Sequence, residues 1–185
     1  MRLPLTLASS FLLALAIVFT GPQASCAQED AARIREAYFR AVGEHFGVPF
    51  QEVTIIGEWD LTADEVPVVL FLARRAGVTP DALIGSRRGG RPWREVAGRF
   101  GVDPGAFHLS LPLDADLGHL ARCYSEFRGR PSSQWSRIQL EDGEIVSLVN
   151  IRVLSEQTGA PPTRVLRVRE GAGSFLASYP LLIRR

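Results

Sequence analysis

The sequence predicts an all-α protein made of two related helical-hairpin halves packed together. Along most of the chain, apolar residues recur at the three- and four-residue spacing of amphipathic helices. Glycine and proline divide these stretches in the order that ends one helix and begins the next. With 185 residues and 46% hydrophobic content, the chain is long enough to bury a core.

The N-terminal half, residues 28–108, is expected to contain three clear helices. An amphipathic stretch covers residues 31–46, and another covers residues 92–100. Between them, residues 66–76 are apolar nearly all round and follow a capping-box sequence at residues 62–65, which predicts a buried central helix. The short stretch from residue 52 to 56 fits a helix or a strand equally well.

The C-terminal half, residues 114–185, shows the same pattern. Asp114 or Asp116 is expected to cap a helix that runs through residue 127, and residues 129–136 read as a polar loop. Glu141 or Asp142 should open the next helix. Beyond residue 175 the apolar C-terminus contains Pro180, which predicts that the last helix stops early.

An ungapped match at an offset of 82 residues relates the two halves. The shared unit is an apolar helix, a Gly-x-x-Pro turn, a short helix with two adjacent aliphatic residues, then Arg-x-Gly and an aromatic residue. The boundary should lie near residues 108–113, where the periodicity breaks. The matched pairs are Leu72 with Leu154, Gly77 with Gly159, Pro80 with Pro162, Arg87 with Arg169, Gly89 with Gly171, and Trp93 with Phe175.

Residues 145–171, and less clearly residues 65–107, resemble a set of uncharacterised exported bacterial proteins. These proteins share helical hairpins of the form Gly-x-Pro-x-x-x-Val-Leu-x-x-Arg, which runs here from Gly159 through Val165 and Leu166 to Arg169. The resemblance implies a helical fold and export, and it implies no activity.

Residues 1–27 have the pattern of a secretory signal peptide. Arg2 precedes an apolar stretch, and small residues stand at Ser25 and Ala27, so we expect cleavage before Gln28. Two alternatives are a lipid anchor through Cys26 and an uncleaved membrane anchor. No later segment is apolar enough for a transmembrane helix. We therefore predict a periplasmic or secreted protein.

Charge counts against nucleic acid as a partner. Removing Arg2 leaves 20 of the 21 basic residues against 20 acidic ones, so the mature chain is neutral. Residues 93–104 look like the first helix and turn of a helix-turn-helix, but residues 105–112 cannot supply a recognition helix of two turns. We expect a packing corner there.

No residues are assigned to a catalytic, cofactor or metal site. His119 and Cys123 share a helix face, but two ligands make only half of a zinc site. Cys123 is instead expected to be a small buried residue. Serine residues lack a nucleophile-elbow sequence. Arg87 belongs to a basic glycine-rich turn that either stays solvated or holds an anion; alternatively, Arg87 and Arg169 each pair with a carboxylate.

The function that best fits these features is non-enzymatic binding of another macromolecule or an envelope component. The alternative is a small hydrolase with a site in the cleft between the halves, near His108, His119 and Cys123. That alternative requires a histidine within hydrogen-bond reach of a carboxylate or a nucleophile.

Overall fold

The computed structural model describes residues 22–184, with side chains from residue 26 onward, and this part of the chain is all-helical with no β-strand. Short 3₁₀ turns at residues 63–65, 104–107, 118–120 and 132–137 connect the longer helices. Within the described range, no helix is both long and apolar enough to cross a bilayer. The α-helices are α1 (Pro22–Phe46), α2 (Phe50–Ile56), α3 (Val66–Ala76), α4 (Pro80–Arg87), α5 (Trp93–Arg99), α6 (Ala121–Arg128), α7 (Asp142–Thr158), α8 (Pro162–Ala172) and α9 (Phe175–Ile183).

Helix α7 forms the centre of the fold. It packs on α1, α3, α5, α8 and α9, and its apolar residues from Ile145 to Leu154 are buried on almost every side. Helix α3 is similarly apolar and packs on α1, α4 and α7. The densest apolar runs of the sequence lie in these two helices and predict that they supply core residues; Leu70, Leu72, Leu148 and Leu154 are all buried, which confirms this.

Two predicted helix starts are confirmed in detail. At Thr62, the backbone N–H and the hydroxyl both contact Glu65 Oε2 at 3.0 Å, completing the capping box before α3. The backbone N–H of Glu141 donates to Glu144 in the same way at the start of α7. These side chains satisfy N–H groups that a helix start would otherwise leave without partners.

The helix expected from Asp114 or Asp116 begins later than predicted. Asp116 accepts a hydrogen bond from the backbone N–H of Gly118 at 3.2 Å, but α6 itself starts only at Ala121. The reason is that Gly118 has a φ of +45°, which a right-handed helix cannot contain. The loop predicted over residues 129–136 contains the 3₁₀ turn Ser132–Arg137.

The prediction that the C-terminal helix stops at Pro180 is wrong. Helix α9 continues through Pro180 to Ile183, whereas α5, its counterpart in the first hairpin, ends at Arg99. Packing of α9 on α1, α7 and α8 outweighs the hydrogen bond that a proline cannot donate. Helix α5 ends because Gly101, just beyond it, adopts a φ of +73°.

Helix α1 extends well beyond its predicted start. It begins at Pro22, yet the side chains of residues 26–33 are exposed and the first buried one is Tyr38. Most of the predicted signal peptide, residues 1–21, lies outside the described residues. The predicted cleavage point after Ala27 falls within the first turns of this helix.

Two carboxylates connect the hairpins, because each accepts hydrogen bonds from backbone N–H groups of the other hairpin. Asp142, at the start of α7, accepts a hydrogen bond from the backbone N–H of Trp93 at 2.7 Å. Asp64, just before α3, accepts from the backbone N–H groups of Phe175 and Leu176 at 2.8 and 2.9 Å. The first backbone N–H groups of α5 and α9 are thus each bound by an acid at, or just before, the start of the long helix of the other hairpin.

Candidate functional site

The potential ligands that the sequence singled out have separate surroundings. Cys123 is buried and its thiol donates to the carbonyl of Leu120 at 3.2 Å. Burial raises the pKa of this thiol to about 12, and the negative charge of Glu144 adds to the effect. Because only the thiolate is a strong nucleophile or metal ligand, Cys123 acts as a small core residue here, as predicted.

Two of the three histidines also make contacts that fit a structural role. His45 Nδ1 lies 3.1 Å from a carboxylate oxygen of Glu156. His108 lies in an aromatic cluster, with its ring centroid 4.3 Å from that of Trp135 and 4.9 Å from that of Phe127. The third, His119, contacts Ser147 and Glu170 in the second hairpin, which consists of α7, α8 and α9. We call the group of side chains formed by His119, Ser147, Arg169 and Glu170 the second junction.

At the first hairpin, which consists of α3, α4 and α5, four side chains form a connected set of polar contacts. We call this set, formed by Glu65, Arg87, Trp93 and Asp142, the first junction. Arg87 Nη2 donates to Glu65 Oε1 at 2.8 Å, and its Nη1 donates to Asp142 Oδ2 at 2.9 Å. The indole N–H of Trp93 donates to the same Glu65 oxygen at 2.9 Å, and the Arg87 guanidinium lies 4.8 Å from the Trp93 ring centroid. The expectation of a solvated turn is therefore wrong at Arg87, and the alternative that Arg87 pairs with a carboxylate is confirmed.

These contacts also hold the charge on Glu65. Burial by itself would raise the pKa of the Glu65 carboxyl, but hydrogen bonds from Thr62, Arg87 and Trp93 outweigh burial and lower it. An arginine bound to two carboxylates has no need of an external anion. The basic turn therefore serves as a structural clamp at Arg87, and Arg87 itself lines a cleft of about 440 Å³ together with Trp59 and Arg88.

At the second junction, three polar side chains line up. His119 Nε2 lies 2.7 Å from the hydroxyl oxygen of Ser147, and His119 Nδ1 lies 3.9 Å from Glu170 Oε1. Ser147 is on α7 and is only 1% exposed, whereas the His119 side chain is 31% exposed. His119 thus covers Ser147 and separates it from solvent.

Arg169 stands at the second junction where Arg87 stands at the first. Its guanidinium lies 5.7 Å from the Phe175 ring centroid, as that of Arg87 does over Trp93. In residues 22–184, however, Arg169 has no carboxylate within 4.0 Å, and its Nε is buried without a hydrogen-bond partner. The prediction that Arg169 also pairs with a carboxylate is therefore wrong.

A change of residue at the position of Glu65 explains why Arg169 lacks the carboxylate that Arg87 has. The residue 82 positions after Glu65 is Ser147, whose hydroxyl is too short to reach an arginine in the way a glutamate does and bears no charge. Its hydrogen bond goes to His119 instead. The pKa of His119 is lowered, first by burial and then by the positive charge of Arg169, although Glu170 opposes the change.

A cavity of about 400 Å³ lies beside this junction. Its lining residues are Pro112, Asp114, Ala115, Asp116, Thr163, Arg167 and Glu170. Gly118 lets Glu170 approach, since a Cβ at this glycine would lie 1.6 Å from Glu170 Oε1. The cavity therefore opens next to Glu170, in contact with residues 112–116.

Sequence reasoning identified His119 and Arg169 but not Ser147 or Glu170. Ser147 lies within an apolar helix and matches no catalytic motif. The available signal was the internal repeat, because the offset of 82 residues places Ser147 at the position of Glu65. No protein-family model, curated protein or solved structure matches the chain.

Proposed function

We propose that the protein is exported and acts by binding another macromolecule or a component of the cell envelope. The apolar N-terminal segment followed by Ser25 and Ala27 supports export. The resemblance of the Gly159–Arg169 hairpin to exported bacterial proteins supports it as well.

The exposed N-terminal part of α1 supports the binding role most directly. Residues 26–33 are helical but exposed, and cleavage before Gln28 would leave residues 28–33 of them, in which Arg33 lies 3.9 Å from Asp30. A helical segment of this length gains little stability from its own hydrogen bonds in water. An exposed helix that extends beyond a core without burying its side chains is typical of one that bridges to a neighbouring structure.

Site-specific photo-crosslinking tests this proposal. A photoreactive amino acid at Ala32, expressed in the full chain in a producing bacterium, should give a discrete crosslinked adduct. The same residue at Arg94, exposed on α5, is the matched control and should give none. Equal crosslinking at both positions, or none at Ala32, would refute a role for α1 in binding.

Export has its own test. N-terminal sequencing of the protein from the periplasm or medium should begin at Gln28, whereas a lipid-modified Cys26 would show that the chain is anchored instead. A chain that retains its first residues and remains in the cytoplasm would refute export.

A second candidate function is hydrolysis, because His119 lies between Ser147 and Glu170 as a base lies between a nucleophile and an orienting acid. In this reaction, Ser147 Oγ would attack an acyl carbon while His119 Nε2 takes the hydroxyl proton. His119 would then give that proton to the leaving group. Because Ser147 is covered, His119 must first move aside for a substrate.

A fluorophosphonate probe distinguishes the two functions. A hydrolase should be labelled at Ser147, and Ser147→Ala should abolish labelling while Ser125→Ala, on the exposed side of α6, leaves it intact. An unlabelled wild-type protein would eliminate the hydrolase.

We also infer that the two hairpins arose by duplication. The left-handed glycines Gly77 and Gly159, which are 82 residues apart and end the two long helices, support this. Superposing residues 66–93 on residues 148–175 in an experimental structure would test it: hairpins of opposite hand would rule out a duplication.

A further inference from the structure

Trp59 differs from the other tryptophans in the described part of the chain, because its indole N–H has no protein partner there. The indole N–H of Trp93 donates to Glu65, and that of Trp135 donates to the carbonyl of Phe127. The Trp59 side chain is half-buried, but its N–H is not among the buried polar atoms that lack a partner, so water reaches it. Trp59 can therefore contact a ligand from solvent.

The cleft of about 440 Å³ beside the first junction has Trp59 in its lining. The turn after α2 contributes Trp59 together with its neighbours Glu58 and Asp60, and the turn after α4 contributes Arg88 and residues 89–90. Glu58, Asp60 and Arg88 are exposed, and none of them forms an ion pair within 4.0 Å among the described residues. A cleft of this size is large enough for a small ligand.

The first junction holds the lining of this cleft in place. Glu65 and Arg87 both line it, and the ion pair between them, at 2.8 Å, fixes the end of α4 beside the start of α3. The backbone N–H of Gly90 donates to the carbonyl of Arg87 at 3.2 Å, so the turn that carries Arg88 follows directly from the clamped residue. A surface held in this way loses little freedom when a ligand binds, which favours affinity.

The polar groups of the cleft match a ligand that both donates and accepts hydrogen bonds. The carboxylates of Glu58 and Asp60 only accept, whereas the guanidinium of Arg88 and the indole N–H of Trp59 only donate. A hydroxyl group does both. The Trp59 ring adds a broad apolar surface beside these groups. A pyranose sugar has this combination, since C–H groups cover the faces of its ring and hydroxyl groups surround its edge.

The charges of the lining favour a neutral ligand. Glu65 and Arg87 neutralise each other. Of the charges that remain, Glu58 and Asp60 repel an anion, and Arg88 repels a cation.

We propose that this cleft binds a neutral saccharide, with a sugar ring against Trp59 and its hydroxyl groups hydrogen-bonded to Glu58, Asp60 and Arg88. The sugar is either a free molecule or a unit of a glycan chain. The proposal concerns a different surface from the exposed part of α1, so it goes beyond the binding function above and does not depend on the role of that helix.

NMR of the tryptophan indole N–H groups tests the proposal with the protein purified from a producing bacterium. The probes are glucose, N-acetylglucosamine and their trimers cellotriose and chitotriose, and Trp59→Phe identifies the Trp59 signal by its loss. We expect the Trp59 signal to shift saturably with a sugar and not with mannitol, an open-chain polyol. The Trp135 signal should stay fixed, because its N–H is bound within the protein. Tighter binding of a trimer than of its single sugar would indicate a glycan chain, and equal binding would indicate a free sugar.

Variants connect the response to the cleft. Trp59→Ala should weaken sugar binding about tenfold in calorimetry, because the ring contact is lost. Arg88→Gln should weaken it as well, whereas Arg99→Gln, which removes the same charge from the exposed end of α5, should leave it unchanged. If Trp59→Ala fails to fold, the two arginine variants and the wild-type titration still decide.

Three outcomes would overturn the proposal. The first is a Trp59 signal that responds to none of the four sugars. The second is an equal response to the sugars and to mannitol, which would indicate a general effect of polyols. The third is a shift caused by tetramethylammonium chloride, at constant ionic strength, at lower concentration than by any of the sugars, which would assign the cleft to a cation.

Discussion

The two hairpin junctions share a backbone pattern and differ in how their arginines are neutralised. Arg87 binds two carboxylates and stacks on Trp93, so the first junction is complete within the chain. Arg169 stacks on Phe175 but binds no carboxylate among residues 22–184. A closed ion-pair network neutralises Arg87, whereas the Nε of Arg169 is buried without a hydrogen-bond partner among residues 22–184.

Some features of the two hairpins support the fold, and others are specific to one junction. The long helices α3 and α7 and the glycines that end them are common to both hairpins. The side chains around the arginines are not. Mutations in the common part should therefore have equal effects in the two hairpins, and mutations at the junctions should have unequal effects.

The largest expected effects come from the matched core leucines. Leu72 and Leu154, 82 residues apart, are both fully buried, so alanine at either should lower the free energy of unfolding by about 2–5 kcal/mol. Chemical denaturation measures this. Leu113→Ala is the control, since that side chain is 82% exposed and its loss should change stability very little. A negligible cost at one of the two buried positions would break the equivalence of the hairpins.

The second effect distinguishes the junctions. Glu65→Ala removes the capping box and leaves Arg87 without one carboxylate, so we expect a loss of about 2–3 kcal/mol. Ser147→Ala removes one hydrogen bond to His119 and should cost about 1 kcal/mol. Equal losses in urea titrations of the two variants would show that the junctions do not differ in the way proposed.

The fold was largely predictable from the sequence because its determinants are local. The capping box at Thr62 and Glu65 follows from side-chain chemistry within one turn of helix. The end of α3 at Gly77 follows from the preference of glycine for a left-handed φ, here +67°. The stretch over residues 66–76 is apolar nearly all round, which identified α3 as a buried helix for the same reason.

The site was not predictable because its contacts depend on the tertiary structure. His119 and Ser147 are 28 residues apart, and no spacing rule brings them together. The continuation of α9 past Pro180 likewise depends on packing against α1 and α8. The internal repeat predicted that Arg169 pairs with a carboxylate, as Arg87 does. That prediction is wrong because Ser147 stands at the position that aligns with Glu65.

A smaller and equal effect is expected at the glycines that end the long helices. Gly77 and Gly159 have φ values of +67° and +70°, and a Cβ at either would meet no atom within 4 Å. Alanine at either position should therefore cost about 1 kcal/mol through backbone strain alone. Gly85→Ala, within α4 and equally free of close contacts, should instead stabilise the protein slightly. Thermal unfolding of the three variants measures these changes in stability. Unequal losses for Gly77→Ala and Gly159→Ala would show that the two turns differ.

The smallest effect concerns pH and should appear only at the second junction. Burial and the charge of Arg169 lower the pKa of His119 below its ordinary value of 6.5, so protonation favours the unfolded chain. The stability linked to His119 is thus present above about pH 6.5 and is lost as the pH falls through its lower folded-state pKa. The first junction should not respond over this range, because the lowered pKa of Glu65 keeps its carboxyl charged.

NMR titration of the His119 ring measures this pKa in the folded protein. Arg169→Gln should raise it by removing a nearby positive charge, while Arg164→Gln should leave it unchanged. The two variants remove the same charge from the same helix, so a general effect of net charge would move both midpoints together. A midpoint that moves only in Arg169→Gln would show that the arginine of the second junction, unlike Arg87, acts on its surroundings as an uncompensated charge.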